Sequence, residues 1–276
     1  MIFELEKSRY GRLSQLFKRF GIEDYNVLAA ILEGNNRAKV FADDVEAPNT
    51  ALVWAINCMF YFVGDHDNPR FNDYFPDTLN RVIAPESLRM GANAFVCALL
   101  HGEGWNERVE TYFAGRKTEI GYRQEFSFNK ERYDKRPKTM IPDNCRMERI
   151  NMDLLMSDKK GLLRDNICEF WYSAEDFMEK GAGFCLLKDG QVVSSCFSCY
   201  SSVKGMDINI DTYGIENRNR GYAALTASAF IDDCISNGLS FGWEAYENNL
   251  ASIAVAEKLG FEKSKKYLCY EFSLSE

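Results

Sequence analysis

Residues 206–260 read MDINIDTYGIENRNRGYAALTASAFIDDCISNGLSFGWEAYENNLASIAVAEKLG, and this stretch decides the fold. Asp207 to Thr212 alternates polar and apolar residues, with Ile208 and Ile210 on one face, which predicts a strand. Ala223, Ala227, Phe230, Ile231, Cys234 and Ile235 form the stripe of an amphipathic helix, stopped by Asn237-Gly238. Between strand and helix lies Arg218-Asn219-Arg220-Gly221-Tyr222-Ala223. A glycine-bearing loop that opens a helix turns unpaired N–H groups and the positive end of the helix dipole toward one spot, which makes it an anion site. Gly221 lets the backbone come close to such an anion because it has no Cβ. Phe241 to Tyr246 predicts a second strand, and Asn248-Asn249 opens another helix that closes on Lys258-Leu259-Gly260-Phe261.

This order, with Arg218, Gly221 and Ala223 at the spacing Arg-x-x-Gly-x-Ala, resembles the GNAT superfamily of acyl-CoA-dependent N-acetyltransferases. The resemblance implies an α+β fold, a mixed and mostly antiparallel sheet with flanking helices. It also implies a coenzyme site. Thr212, Arg218, Asn219, Arg220, Gly221, Tyr222 and Ala223 would hold the diphosphate of acetyl-CoA, with Asn249 and Ser252 along the pantetheine arm. Family members often carry a tyrosine seven residues after that asparagine, as the acid that protonates the departing thiolate. Here the position is Ala256, so Tyr246 or Ser252 has to be considered for that proton. Within the superfamily, Trp171-Tyr-Ser-Ala-Glu-Asp-Phe, Gly183-Phe-Cys-Leu-Leu-Lys-Asp-Gly and Trp243-Glu-Ala resemble a group that includes the protein acetylating the aminopolyol antibiotic zwittermicin. The likeness is firm over the last half of the chain and faint before Pro142.

Acetyl transfer to an amine needs a neutral amine, a polarised thioester carbonyl and close approach of the two. In this family two neighbouring parallel strands splay where the thioester lies. Here those would be Asp207 to Tyr213 and Phe241 to Tyr246. Carboxylates at that cleft are candidate bases: Glu244 first, then Asp211. Each also fits a solvated strand residue, Asp211 more so than Glu244. Asn249 and Ser252 share a helix face, which suits one ligand arm, although Asn249 also fits a helix N-cap.

The rest of the chain narrows the classes. Its 276 residues suit one or two domains, and 46% hydrophobic content suffices for a core. The start Met1-Ile-Phe-Glu-Leu-Glu-Lys lacks a leader pattern and the longest apolar run, Ala51 to Val63, is too short to span a bilayer, so a cytoplasmic protein is expected. Nine scattered cysteines fit reduced, apolar usage, and Cys196-Phe-Ser-Cys199 has no second pair to make a metal set. His66 and His101 lack companions at metal spacing, so no metal is expected. Residues 1–140 hold 20 acids and 19 bases, leaving 21 acids and 14 bases beyond them. An acidic second half disfavours nucleic acid and favours small cationic amines, or serves solubility alone.

Domains are expected at 1–135 and 141–276, joined by a charged linker at Lys130 to Lys138 whose mixed signs argue against a nucleic-acid arm. The first half reads as helices at Ser8 to Phe20 and Tyr25 to Glu33, strands at Ala38 to Ala42 and Ala51 to Val63, and a helix from Phe71 to Ile83. That order loosely repeats the second half without an Arg-x-x-Gly-x-Ala. It is either a degenerate copy lacking a coenzyme site or an unrelated α+β cap. In the second half, Ser173-Ala-Glu-Asp176 is a capping box, Asp189-Gly190 turns a hairpin, and Lys266 to Phe272 supplies a last strand. The sequence supports two functions: an N-acetyltransferase acting on a small primary amine, or a coenzyme A-binding protein without turnover.

Overall fold

The computed structural model describes residues 1–56, 59–101 and 104–274, and the chain packs as two compact units. The first comprises Met1–Arg123 and Tyr267–Glu276, the second Gln124–Lys266.

In the first unit, strand β1 (Phe3–Glu4) leads through a 3₁₀ turn into helices α1 (Ser14–Arg19) and α2 (Asn26–Leu32). Strands β2 (Ala38–Ala42), β3 (Thr50–Ala55) and β4 (Met59–Gly64) follow as an antiparallel meander. The run Ala51 to Val63, expected as one strand, is two. Trp54 lies opposite Phe60 with the rings stacked at 5.3 Å, and the run's Asn57 and Cys58 lie outside the described residues. Both strands are buried on both faces, so neither shows the alternation that would have marked its end. Helices α3 (Pro69–Thr78) and α4 (Ala84–Arg89), joined by a π-helical turn, cross over to β5 (Ala94–Leu99). Strand β5 runs parallel to β4 at Phe60↔Cys97 and Tyr61↔Ala98. Helix α5 (Trp105–Tyr112) then packs Trp105 and Val109 among Phe62, Phe71 and Phe75.

One buried titratable group here has a measurable consequence. Burial pushes the His101 imidazole down to about 4, and nearby His66 acts in the same direction, against a hydrogen bond to the Phe62 backbone. The unfolded chain therefore binds this proton before the folded one does. Stability from this group is complete above the unfolded pKa of 6.5 and is lost as pH falls toward 4. Between pH 7 and pH 5 the loss is about 2 kcal/mol. From pH 7 to pH 5 the wild type should therefore lose about 2 kcal/mol relative to His101→Gln, read from urea midpoints; parallel curves would remove the assignment.

The chain passes into the second unit within β6 (Thr118–Phe128) and continues through α6 (Lys130–Lys135), β7 (Cys145–Arg149), α7 (Met152–Ser157), α8 (Leu162–Phe170) and α9 (Ala174–Lys180). Strands β8 (Gly183–Lys188), β9 (Gln191–Ser202) and β10 (Gly205–Thr212) form an antiparallel meander, with β7 paired to β8. The hairpin turns where the sequence places it, with Asp189 and Gly190 both at positive φ (50° and 77°). Helix α10 (Tyr222–Ser236) crosses over to β11 (Phe241–Tyr246), α11 (Leu250–Lys258) follows, and β12 (Phe261–Ser273) closes the chain. Phe230, Ile231 and Cys234 of α10 are fully buried against Trp243, Ala245 and Phe261. Each unit thus runs from an antiparallel meander through a helical crossover to a parallel strand and a further helix.

Two sequence expectations change. Lys130 to Lys138 is no free linker: its first part is α6, capped by the Asn129 side chain, with Tyr133 buried. The Tyr133 hydroxyl donates to Asp232 Oδ1 at 2.7 Å, and its backbone N lies 2.7 Å from where a Cβ on Gly260 would sit. The last strand begins at Phe261 rather than Lys266, and residues 268–273 pair with β5, which assigns the chain's end to the first unit. The compact units therefore differ in extent from 1–135 and 141–276. Cys196 and Cys199 are buried in β9, with the Cys199 thiol donating to Asp207 O at 3.3 Å. Among the described residues no helix is long and apolar enough to cross a membrane.

Candidate active site

Strands β10 and β11 are laddered at Met206↔Phe241 and Asp207↔Gly242, their N-terminal ends. Beyond that, β10 continues to Thr212 on its other neighbour, β9, and the ladder to β11 stops. These are the two strands for which the family resemblance implies a splay, and their pairing ends after two registers.

The chain leaves β10 through Tyr213, whose N donates to Val193 O at 2.9 Å, and turns at Gly214 into a short 3₁₀ segment, Ile215–Asn217. Asn217 is buried and its Nδ2 donates to Tyr213 O at 2.7 Å, which fixes the turn. Asn219 and Gly221 then take positive φ (58° and 79°) and turn the chain into α10. Among the described residues, no carbonyl or side chain accepts from the amides of Asn219, Arg220, Gly221, Tyr222 or Ala223. Nothing lies within 4 Å of the place a Gly221 Cβ would occupy. Glycine is needed there for its left-handed backbone, and the space it faces is open. Arg218 and Arg220 are exposed, whereas the Tyr222 ring is buried beside Leu186, Val193 and Leu225, so Tyr222 offers its amide alone. The Thr212 hydroxyl lies 3.4 Å from Ser194 Oγ.

Helix α11 is tied down more firmly than a ligand arm requires. The Asn249 side-chain oxygen caps the helix by accepting from Ser252 N at 3.1 Å, which leaves its NH₂ group outward on an exposed residue. Ser252 Oγ accepts from Trp243 Nε1 at 3.1 Å. Ala256 is fully buried in the core with Ala227 and Phe261, so no side chain from that position faces the cleft.

Ile208 and Ile210 pack toward α10, which turns Asp207, Asn209 and Asp211 to the opposite face of β10. Trp243 and Ala245 likewise enter the core, so Glu244 and Tyr246 share that opposite face. The three candidate catalytic residues, Glu244, Asp211 and Tyr246, are thus on one side of the splayed pair. Asp211 Oδ2 accepts from Asn166 Nδ2 of α8 at 2.6 Å and from Asn209 Nδ2 at 2.8 Å. The Tyr213 hydroxyl lies 2.8 Å from Ser195 Oγ and 3.2 Å from Asn166 Nδ2, and burial raises its pKa, so it stays protonated. Asn166, Ser195, Asn209 and Tyr213 were not singled out from the sequence. Asn209 and Tyr213 flank Asp211 on a predicted strand, where alternation could have marked Asn209 as its same-face neighbour.

The corresponding place in the first unit is built to the opposite effect. The loop Gly64 to Asn68 opens α3 with Pro69, which has no N–H, and the Asn68 side chain accepts from Phe71 N. Asp67 N donates to Asp65 Oδ1 and Asn68 N to Asp65 O, so these two donors are taken. Trp105 Nε1 donates to Gly64 O at 3.1 Å, and its indole packs on Phe62 beside the end of β4.

Known proteins share this architecture. An uncharacterised N-acetyltransferase from Bacillus subtilis (strain 168), YdfB, is 24% identical over 269 residues, 97% of each chain. Among solved structures, a GCN5-related N-acetyltransferase-like protein from Streptococcus suis 89/1591 superposes with a TM-score of 0.69 at 24% identity, covering 96% of this chain and 98% of that one. A tandem GNAT protein from the clavulanic acid biosynthesis pathway superposes with a TM-score of 0.62 at 11% identity, covering 100% of this chain and 99% of that one, a likeness of fold. The sequence profile described as GNAT acetyltransferase matches residues 14–270, well beyond the half in which the motifs lie. Because that match takes in both units, the chain belongs to the GNAT acetyltransferase family.

Proposed function

We propose that this acetyltransferase moves the acetyl group of acetyl-CoA to a primary amine of a small molecule, by direct attack with both substrates bound. One observation carries the reading: five consecutive amides, Asn219 to Ala223, have no acceptor among the described residues, in a loop whose Gly221 faces open space and which follows a strand that has left its parallel neighbour. Those donors, the exposed Arg218 and Arg220 and the N-terminus of α10 fit a diphosphate in charge and spacing. When bound, the coenzyme supplies the thioester. The chain's own part is to hold the diphosphate at this loop, to offer the outward Asn249 NH₂ to the pantetheine arm, and to accept the amine's proton. Glu244 is the proposed base, with Asp211 as a carboxylate held by two side-chain amides and Tyr246 as the candidate acid in place of the missing tyrosine at Ala256. The first unit, in which Pro69 has no N–H and Asp67 N and Asn68 N are already bonded to Asp65, serves as a coenzyme-free copy, and the protein works in the cytoplasm.

The acceptor is proposed as an aminated metabolite or antibiotic-like molecule. The residues shared with the zwittermicin-type group are weak guides to it. Trp171 is fully buried with Nε1 on Ser198 O, and Trp243 lies in the core, so they describe packing. Thiol release from acetyl-CoA over a panel of primary amines that includes aminopolyols is the test. Release with at least one amine is expected. Heat of acetyl-CoA binding with no release for any amine would favour a coenzyme-binding protein without turnover.

A further inference from the structure

Asp211 is half-buried on the face of β10 that also carries Glu244 and Tyr246, and its hydrogen-bond partners are neutral. Asn166 Nδ2 and Asn209 Nδ2 both donate to its Oδ2, at 2.6 Å and 2.8 Å. Among the described residues Oδ1 accepts from no group and no cation pairs with the carboxylate. Asp158, whose charge also reaches Tyr213, is engaged differently, because its two oxygens accept from the backbone N–H groups of Lys160 and Leu163 and so shape the turn into α8. A charge taken partly out of water is ordinarily matched by a cation or by such backbone donors. Asp211 instead has two neutral amides on one oxygen and none on the other, which is how a carboxylate is held for a cation that comes from outside the chain.

Asn166 fixes that carboxylate from the neighbouring helix. Leu163, Asn166, Ile167 and Phe170 lie at i, i+3, i+4 and i+7, a single stripe of α8. Leu163 and Ile167 are fully buried, and Phe170 meets Phe197 and Tyr200 of β9 edge-on, so the stripe is the side of α8 that packs. Asn166 is its polar member. Its Nδ2, besides donating to Asp211, lies 3.2 Å from the Tyr213 hydroxyl, which in turn lies 2.8 Å from Ser195 Oγ. A packed helix thus keeps the carboxylate in place before any ligand arrives, and an incoming cation has little left to order.

Counted from the register Asp207↔Gly242, Asn209 is level with Glu244, so Asp211 stands one strand across and two residues along from it. At about 3.3 Å per residue and about 4.8 Å between strands their Cα atoms are about 8 Å apart, and the splay widens the gap. That separation suits one small molecule with an amine at each end. We propose, resting on the amine-transfer reading above, that the acceptor carries two amino groups: the one beside Glu244 is acetylated, while the other stays an ammonium ion held by Asp211, with Asn166 as the positioning residue for that carboxylate. The anchor is non-covalent and leaves the transfer step as already described. Asp211→Asn keeps an oxygen for Asn166 and removes the charge, and Asn166→Leu keeps the charge and removes its support.

Calorimetric titration of the wild type and both variants with α,ω-diaminobutane and with n-pentylamine, which replaces one amine by a methyl group at equal length, tests the anchor without requiring turnover. The diamine is expected to bind the wild type about tenfold more tightly than the monoamine, the worth of one charge-assisted hydrogen bond, and Asp211→Asn to close that gap. Asn166→Leu should narrow it, whereas a loosened fold would weaken both amines together. Equal affinities in the wild type, binding of neither amine, or a gap that survives Asp211→Asn overturns the anchor. Thiol release from acetyl-CoA with the same two amines separates this result from the transfer reading. A gap that depends on Asp211 without release from either amine leaves the anchor standing and counts against transfer, and release with equal affinities removes the anchor and keeps transfer.

Discussion

Gly221→Glu is expected to abolish acetyl-CoA binding while the protein stays folded. The added carboxylate would stand in the loop whose amides, Asn219 to Ala223, have no acceptor among the described residues, and two like charges about 4 Å apart repel by about 4 kcal/mol at a surface-like dielectric. That corresponds to a loss of affinity on the order of 10²- to 10³-fold. The fold loses far less. A Cβ here meets nothing within 4 Å, so the stability cost is the left-handed backbone at φ 79°, about 1 kcal/mol. Gly221→Ala separates the two contributions, because it carries the same backbone strain without the charge. Calorimetric titration with acetyl-CoA, alongside a melting curve, reads both. Unchanged affinity in the glutamate variant would remove the diphosphate loop and with it the coenzyme site.

Glu244→Gln should lower kcat by about 10²- to 10⁴-fold, the usual contribution of a positioned general base. Trp243 and Ala245, buried on either side of it, hold β11 in place, and glutamine is isosteric, so Tm should stay put. A variant that keeps the wild-type kcat would transfer the role to Asp211, whose Oδ2 is already bonded by Asn166 and Asn209, or to water.

The proposal that the first unit holds no coenzyme rests on chemistry rather than on topology. Both units splay a parallel pair after two registers and open a crossover helix at that point. They differ in what their helix-opening loops leave unbonded. In one, Pro69 has no N–H, the Asn68 side chain accepts from Phe71 N, and Asp65 accepts from Asp67 N and Asn68 N; in the other, Asn219 and Gly221 take positive φ and the amides of Asn219 to Ala223 have no acceptor among the described residues.

The sequence by itself determined what neighbouring residues enforce. The apolar stripe from Ala223 to Ile235 makes α10 helical whatever lies opposite, Asp189-Gly190 permits the turn its dihedral angles need, and Ser173 caps α9 through Asp176 N. The loop at Arg218 to Ala223 belongs here too, because a glycine between a strand and a helix is a local arrangement. Only the tertiary structure decided the rest. Lys130 to Lys138 looks like solvated linker until Tyr133 meets Asp232 and Gly260, and Ala256 looks like a gap in the active site until it is found packed in the core. The same holds for Asn166 on Asp211, 45 residues away, and for the pairing of residues 268–273 with β5. Periodicity and backbone dihedrals act over a few residues and leave a signature in the chain. The partner of a buried hydroxyl or carboxylate is chosen by close packing among segments far apart in sequence, and packing writes no pattern in either segment alone.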